Sequence, residues 1–193
     1  MSQPGPITLD LLATLDDVRD RTLSRLDGLT DAEYLWEPVP AGLNLRQAAD
    51  GAFRADPVPD TDPAPAPFTT IGWRMWHIGA DCLRGYCTNF LEDEAPEDEA
   101  SQGVGDDIFA WPGTAKEGIA AMAADWDRFR AAMAALGDEG LLAPMGPRAG
   151  QFAEETFLKL GLHALDEVAH HGAELGLLRD LYLHAYSAPQ SLR

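Results

Sequence analysis

Three of the five histidines in this chain fall within nine residues, interleaved with carboxylates, in the run Leu162-His163-Ala164-Leu165-Asp166-Glu167-Val168-Ala169-His170-His171-Gly172-Ala173-Glu174. Imidazole nitrogens and carboxylate oxygens are the ligands that zinc, nickel and non-haem iron share. On a helix, residues four apart sit one above the other, so His163, Glu167 and His171 line one face. Glu and His one turn apart can present two metal ligands to a bundle interior. A third ligand must come from elsewhere, and His77 is the candidate, which gives the set His77, Glu167 and His171. Asp166 and His170 repeat the same spacing on another face. If Leu165 marks the core direction, the two acid–histidine pairs flank the apolar stripe on opposite sides, and periodicity does not choose between them. The plainer alternative is a row of surface ion pairs, because Glu-x-x-x-His is a short pattern.

The elements that must position these residues read as helices. A first helix is expected over residues 7–27, with Thr8 as N-cap and Gly28 as its end. Thr30-Asp-Ala-Glu33 has the form of a capping box and predicts a short helix to about Trp36. Residues 37–67 carry seven prolines, so no long helix crosses them. The stretch is expected to be a surface connection with one helical turn around Leu45 to Ala52, serving as a lid or as a plain strap. A second helix over 68–91, opened by Thr69 or Thr70, places Trp73, His77 and Asp81 on one stripe. Trp73 and Trp76 beside His77 suggest a large apolar cavity there. Glu92 to Glu99 reads as a solvated acidic loop, since the spacing and glycine of a calcium-binding EF-hand are absent. Pro112-Gly113-Thr114 opens a third helix to about Leu136, with Ile119, Met122, Trp126, Phe129, Met133 and Leu136 as its core face. A fourth helix is expected from about Ala153 to Tyr182. Its core positions read as Leu158, Leu162, Leu165, Ala169 and Leu175, and Gly172 and Gly176 allow a neighbour to approach closely. No segment shows sustained alternation, so the fold class is all-α, a four-helix bundle.

Charge narrows the function. The formal net charge of −18 repels phosphates and argues against nucleic acid or an anionic membrane as partner. No apolar run spans a bilayer, and no secretory signal opens the chain, so a cytoplasmic protein is expected. Cys82 and Cys87, five apart with no Cys-x-x-Cys motif, read as reduced apolar residues.

Thr70-Ile-Gly-Trp-Arg-Met-Trp-His77-Ile-Gly-Ala-Asp81 resembles the second-helix signature of the DinB-like (YfiT-like) superfamily. His163 to Leu181, with Glu167, His171 and Leu177-Leu-Arg-Asp-Leu181, resembles its fourth-helix signature. Gly28-Leu-Thr-Asp-Ala-Glu33 before Trp36 and Pro38 resembles its first turn. The likeness covers residues 7–185 as a single domain. It implies an up-down-down-up four-helix bundle with a divalent metal, often zinc or nickel, on three histidines, and dimers are common. Characterised relatives are thiol S-transferases using bacillithiol or mycothiol, and a mycothiol-dependent maleylpyruvate isomerase. The resemblance favours Glu167 with His171 as the fourth-helix pair. Here a carboxylate replaces one histidine of the family's pattern; a His-His-carboxylate set still suits zinc, or iron. The expectation is a metal-dependent thiol transferase or hydrolase acting on a small molecule, with a low-molecular-weight thiol as co-substrate, as a homodimer. Asp81 would orient His77, and His163 or His170 would move protons. The alternative is a non-catalytic ligand-binding bundle, near Trp73, Trp76 and Trp126, with a degraded metal site.

Overall fold

The computed structural model describes residues 4–59, 65–92 and 108–187. The fold is mostly helical with one two-stranded sheet. Helix α1 (Pro6–Arg25) starts one residue earlier than the apolar pattern suggests, because Pro6 presets the first helical φ. Its cap is supplied in trans. Thr8 lies inside the helix, and the Asp138 carboxylate accepts from the Ile7 and Thr8 amides and the Thr8 hydroxyl, the last at 2.6 Å. A carboxylate there satisfies orphan N–H groups and complements the helix dipole. Helix α2 (Asp31–Tyr34) has the predicted capping box between Thr30 and Glu33.

The proline-rich connection departs from expectation. In place of a helical turn it forms an antiparallel hairpin, β1 (Leu45–Gln47) with β2 (Phe53–Ala55), in register Leu45 to Ala55. Gly51, at φ 87°, and the Asp50 carboxylate, which accepts from the Ala52 amide, shape the tip. Asn44 and Asp56 exchange hydrogen bonds at the base. The hairpin is a strap. The Ala55 amide donates to the Phe109 carbonyl, and the Trp73 indole donates to the Asp56 carbonyl at 2.7 Å.

Helix α3 (Ile71–Trp76) is capped by Thr70 and runs on into π-helical turns at His77–Arg84 and Cys87–Leu91. Such turns are rare, carry one extra residue, and concentrate at functional sites. Helix α4 (Ala115–Leu141) is capped by Thr114 and passes Gly137, whose φ of 62° breaks the helical path where a full stop was expected. Met122, Trp126, Phe129 and Met133 are fully buried; Ile119 and Leu136 are partly so. A short 3-10 turn (Pro147–Phe152) leads to α5 (Phe157–Ser187). Helix α1 packs on α4 and α5, and α3 with its first π turn packs on the same two. Gly172 brings α5 against α1: a Cβ there would lie 2.6 Å from the Thr22 hydroxyl oxygen.

The core stripe of α5 differs from the expected one. Leu160, Ala164, Val168, Leu175 and Leu178 are buried, while Leu162 is 49% exposed and Ala169 is exposed. Small residues face the close-packed partner, and the large leucines at 162 and 177 point outward. Cys82 and Cys87 are both buried and unpaired. Among the described residues no helix is long and apolar enough to cross a membrane. The acidic run beyond Glu92 lies outside the described residues; Glu92 itself pairs with Arg128.

Candidate metal centre

The corrected core direction of α5 decides which acid–histidine pair turns inward. With the stripe centred on Ala164 and Val168, Glu167 and His171 lie at its edge toward α3, and Asp166 and His170 are exposed. His77 sits where α3 passes into its first π turn, facing that edge. One donor atom from each of His77, Glu167 and His171 falls in a group whose members all lie within 4.8 Å of one another. Glu167 Oε2 is 3.2 Å from His171 Nε2 and 3.8 Å from His77 Nε2. Ligands at about 2.0 Å on a tetrahedral ion stand about 3.3 Å apart, so these residues could hold a divalent metal with little movement. All three are part-buried.

The outer nitrogens of both rings are already committed. His77 Nδ1 is 2.8 Å from Asp81 Oδ2, and His171 Nδ1 is 2.8 Å from Glu174 Oε2. This leaves Nε2 of each ring turned to Glu167, the arrangement by which carboxylates orient metal-binding imidazoles and raise their basicity. Trp73, tethered by the strap, stacks on His77 with centroids 5.6 Å apart and planes 12° from parallel. The two imidazoles meet edge to face at 4.8 Å. Trp73 and Trp76 are buried wall and core, their indoles spent on the carbonyls of Asp56 and Ile108.

Sequence reasoning assigned no role to Arg74 or Glu174. Arg74 Nε lies 2.8 Å from Glu174 Oε2, the oxygen that also meets His171. Burial would raise the Glu174 pKa, but the His171 hydrogen bond and the Arg74 charge outweigh it, and the carboxyl is held below its ordinary value. Burial conversely lowers the Arg74 pKa, with Glu174 opposing. The signal was available: Glu174 lies three residues after His171, and Arg74 three before His77. Around the two rings, Asp81, Glu167 and Glu174 face one guanidinium, an excess of negative charge that favours a cation.

Cys82 approaches His77, with Sγ 3.7 Å from Nε2. Burial, reinforced by the Asp81 and Glu167 charges, pushes its pKa up to about 12, so it remains a thiol at neutral pH. His163 Nε2 reaches only to 4.0 Å from Glu167 Oε1, and its side chain is half exposed. His170 contacts Glu174 at 3.4 Å. His170, His171 and Glu174 also form a close group, but all three lie on one turn of α5, and Glu174 is held by Arg74.

Beside His163 a cleft of about 310 Å³ opens between the second π turn and the start of α5. A wider groove of about 500 Å³ lies between α1 and α5, and none of the three donor residues lines either space; His163, at 4.0 Å from Glu167, links the first to the centre.

The sequence profile of the DinB superfamily matches residues 14–175. The chain belongs to the DinB superfamily. That match spans the strap, the π turns and all three donor residues of the centre. No curated protein and no solved structure matches the chain significantly. For this DinB-superfamily chain, the chemistry of the site therefore rests on its own residues.

Proposed function

We propose that this protein is a divalent-metal-dependent enzyme of the DinB superfamily, with His77, Glu167 and His171 as the ligands, acting on a small molecule by thiol transfer or hydrolysis. The single observation that supports it most is the paired orientation of the imidazoles: each Nδ1 is taken by a carboxylate, and each Nε2 is left for Glu167. Surface ion pairs do not need both outer nitrogens fixed. We read the four long helices as the superfamily's up-down-down-up bundle, with zinc or nickel as the leading ions.

A divalent ion on two imidazoles and a carboxylate supplies a lowered pKa to a bound water or thiol, and hence a nucleophile at neutral pH. The chain's own residues do the rest. Asp81 and Glu174 hold the rings in one tautomer, with the proton on Nδ1. The His171 hydrogen bond and the Arg74 charge hold the Glu174 carboxyl below its ordinary value. Trp73 and the strap exclude water from the back of His77. His163 Nε2, on the cleft side of Glu167, stands where it can give a proton to a leaving group.

The test is turnover by metal-reconstituted protein on a 4-nitrophenyl ester and, with a small thiol, on 1-chloro-2,4-dinitrobenzene. Activity that chelation removes and His171→Ala lacks supports the reading. Fully metal-loaded protein that turns over neither substrate favours the ligand-binding alternative.

A further inference from the structure

The cleft beside His163 has a composition of its own. Tyr86 and Phe90 form one wall, from the end of α3's π-helical stretch, and Leu160 and His163 form the facing wall, from α5. Met145 and Phe152, from the turn between α4 and α5, close its outer end. The Tyr86 and Phe90 rings are 6.4 Å apart and tilted by 31°, and the His163 ring lies 5.9 Å from Tyr86. Tyr86 turns its ring to the cleft beside the His163 ring. At the rim Lys159 is paired with Glu155 at 3.1 Å, which leaves no net charge there for an ionic ligand. Phe152 remains 48% exposed over this space.

We infer that this cleft is the substrate site for a small neutral aromatic molecule, one or two rings in size, held with its polar substituent toward His163. The inference rests on the metal-dependent reading above for what happens to that substituent. A volume of about 310 Å³ is at the lower bound for ligand pockets, too small for a large cofactor. Aromatic walls prefer a flat π-face in offset or edge contact, and a Met thioether adds a favourable sulfur–ring contact. His163 is the one imidazole in the wall, and its Nε2 stands 4.0 Å from Glu167 Oε1 of the metal centre.

The probe is 1-naphthol, with its fully saturated decahydro analogue as the comparison, each measured by equilibrium dialysis on the full chain with and without zinc. One 1-naphthol per chain, bound at least fivefold tighter than the saturated analogue, is expected in both metal states. Phe90→Ala and Phe152→Ala, at part-buried and exposed sites, should each weaken it at least threefold without changing zinc affinity. Ala173→Phe, which fills the α1–α5 groove, should leave it unchanged. Equal affinity for the two probes, indifference to both phenylalanine variants, or loss of binding in Ala173→Phe would each overturn the assignment. Selective 1-naphthol binding by protein that takes up no metal would support the cleft and sink the metal centre; zinc uptake without 1-naphthol binding would do the reverse.

Discussion

Glu174→Gln tests whether the carboxylate behind His171 works on the metal or only on Arg74. Glu174 Oε2 stands 2.8 Å from both His171 Nδ1 and Arg74 Nε. Glutamine keeps the shape and one acceptor oxygen but removes the charge. A hydrogen bond to a charged group is worth about 1.5–3 kcal/mol and a neutral one about 0.5–1.5, so the His171 contact loses about 1 kcal/mol. The side chain is about one-third exposed, and solvent screening keeps the loss at that lower figure. For His171 this becomes about fivefold weaker metal binding, just under the 10–100-fold that such partners typically supply. For the metal-free protein, the largely buried Arg74 loses its counter-charge, which lowers stability by about 1–2 kcal/mol, or about 2–8 °C in melting temperature. The assay is zinc affinity by chelator competition, beside thermal melting of metal-free protein. Arg74→Gln is the control: it should lower the melting temperature and leave zinc affinity within about threefold. Wild-type zinc affinity in Glu174→Gln, together with a lowered melting temperature, would refute the orienting role and leave Glu174 as the partner of Arg74 alone.

Other expectations follow from the same structure. Cys82 and Cys87 are buried, and burial pushes their pKa values up to about 12 and about 11, so at pH 8 the folded protein should leave both thiols unmodified by an aromatic disulfide reagent over a period in which unfolded protein reacts with two equivalents. Rapid native labelling would show that burial does not govern these thiols. Asp16 ties α1 to α4 through a two-point contact with Arg130, and that hydrogen bond, reinforced by the Arg130 and Arg19 charges against a raising effect of burial, holds its carboxyl below the ordinary value. A depressed carboxyl contributes stability above the unfolded pKa of about 3.9, and the contribution is lost as pH falls through the lower folded pKa. Asp16→Asn should therefore cost under about 1 kcal/mol at pH 7, with the difference from wild type closing below pH 4; a cost that grows on acidification would contradict this.

Much of this fold is readable from local chemistry. Thr30, Thr70 and Thr114 each precede a helical pattern at cap spacing, and each is an N-cap. The α4 core repeats large residues at Met122, Trp126, Phe129 and Met133, so its buried face is plain. The hairpin is not, because its strands are three residues long and depend on Asn44, Asp56 and the Phe109 carbonyl, partners far apart in sequence. Helix α5 misleads for a different reason. Where it meets α1 closely it uses Gly161, Ala164 and Gly172, and a reading weighted by hydrophobicity chooses the exposed Leu162 instead. That error hides which acid–histidine pair turns inward. The π turns that follow His77 leave no signature in residue type; they bring Cys82 as well as Asp81 to the ring. Spacing puts Arg74 one turn before His77 and Glu174 one turn after His171, but their pairing crosses two helices and so is not read from either alone.

The central claim is that His77, Glu167 and His171 hold a metal ion. The most direct measurement is metal content by mass spectrometry on protein purified without a histidine tag, alongside His77→Ala and His171→Ala. The account predicts close to one equivalent of zinc, nickel or iron per chain in the parent and its loss in both variants. A full equivalent retained by His77→Ala, or no metal in the parent even after reconstitution, would contradict it.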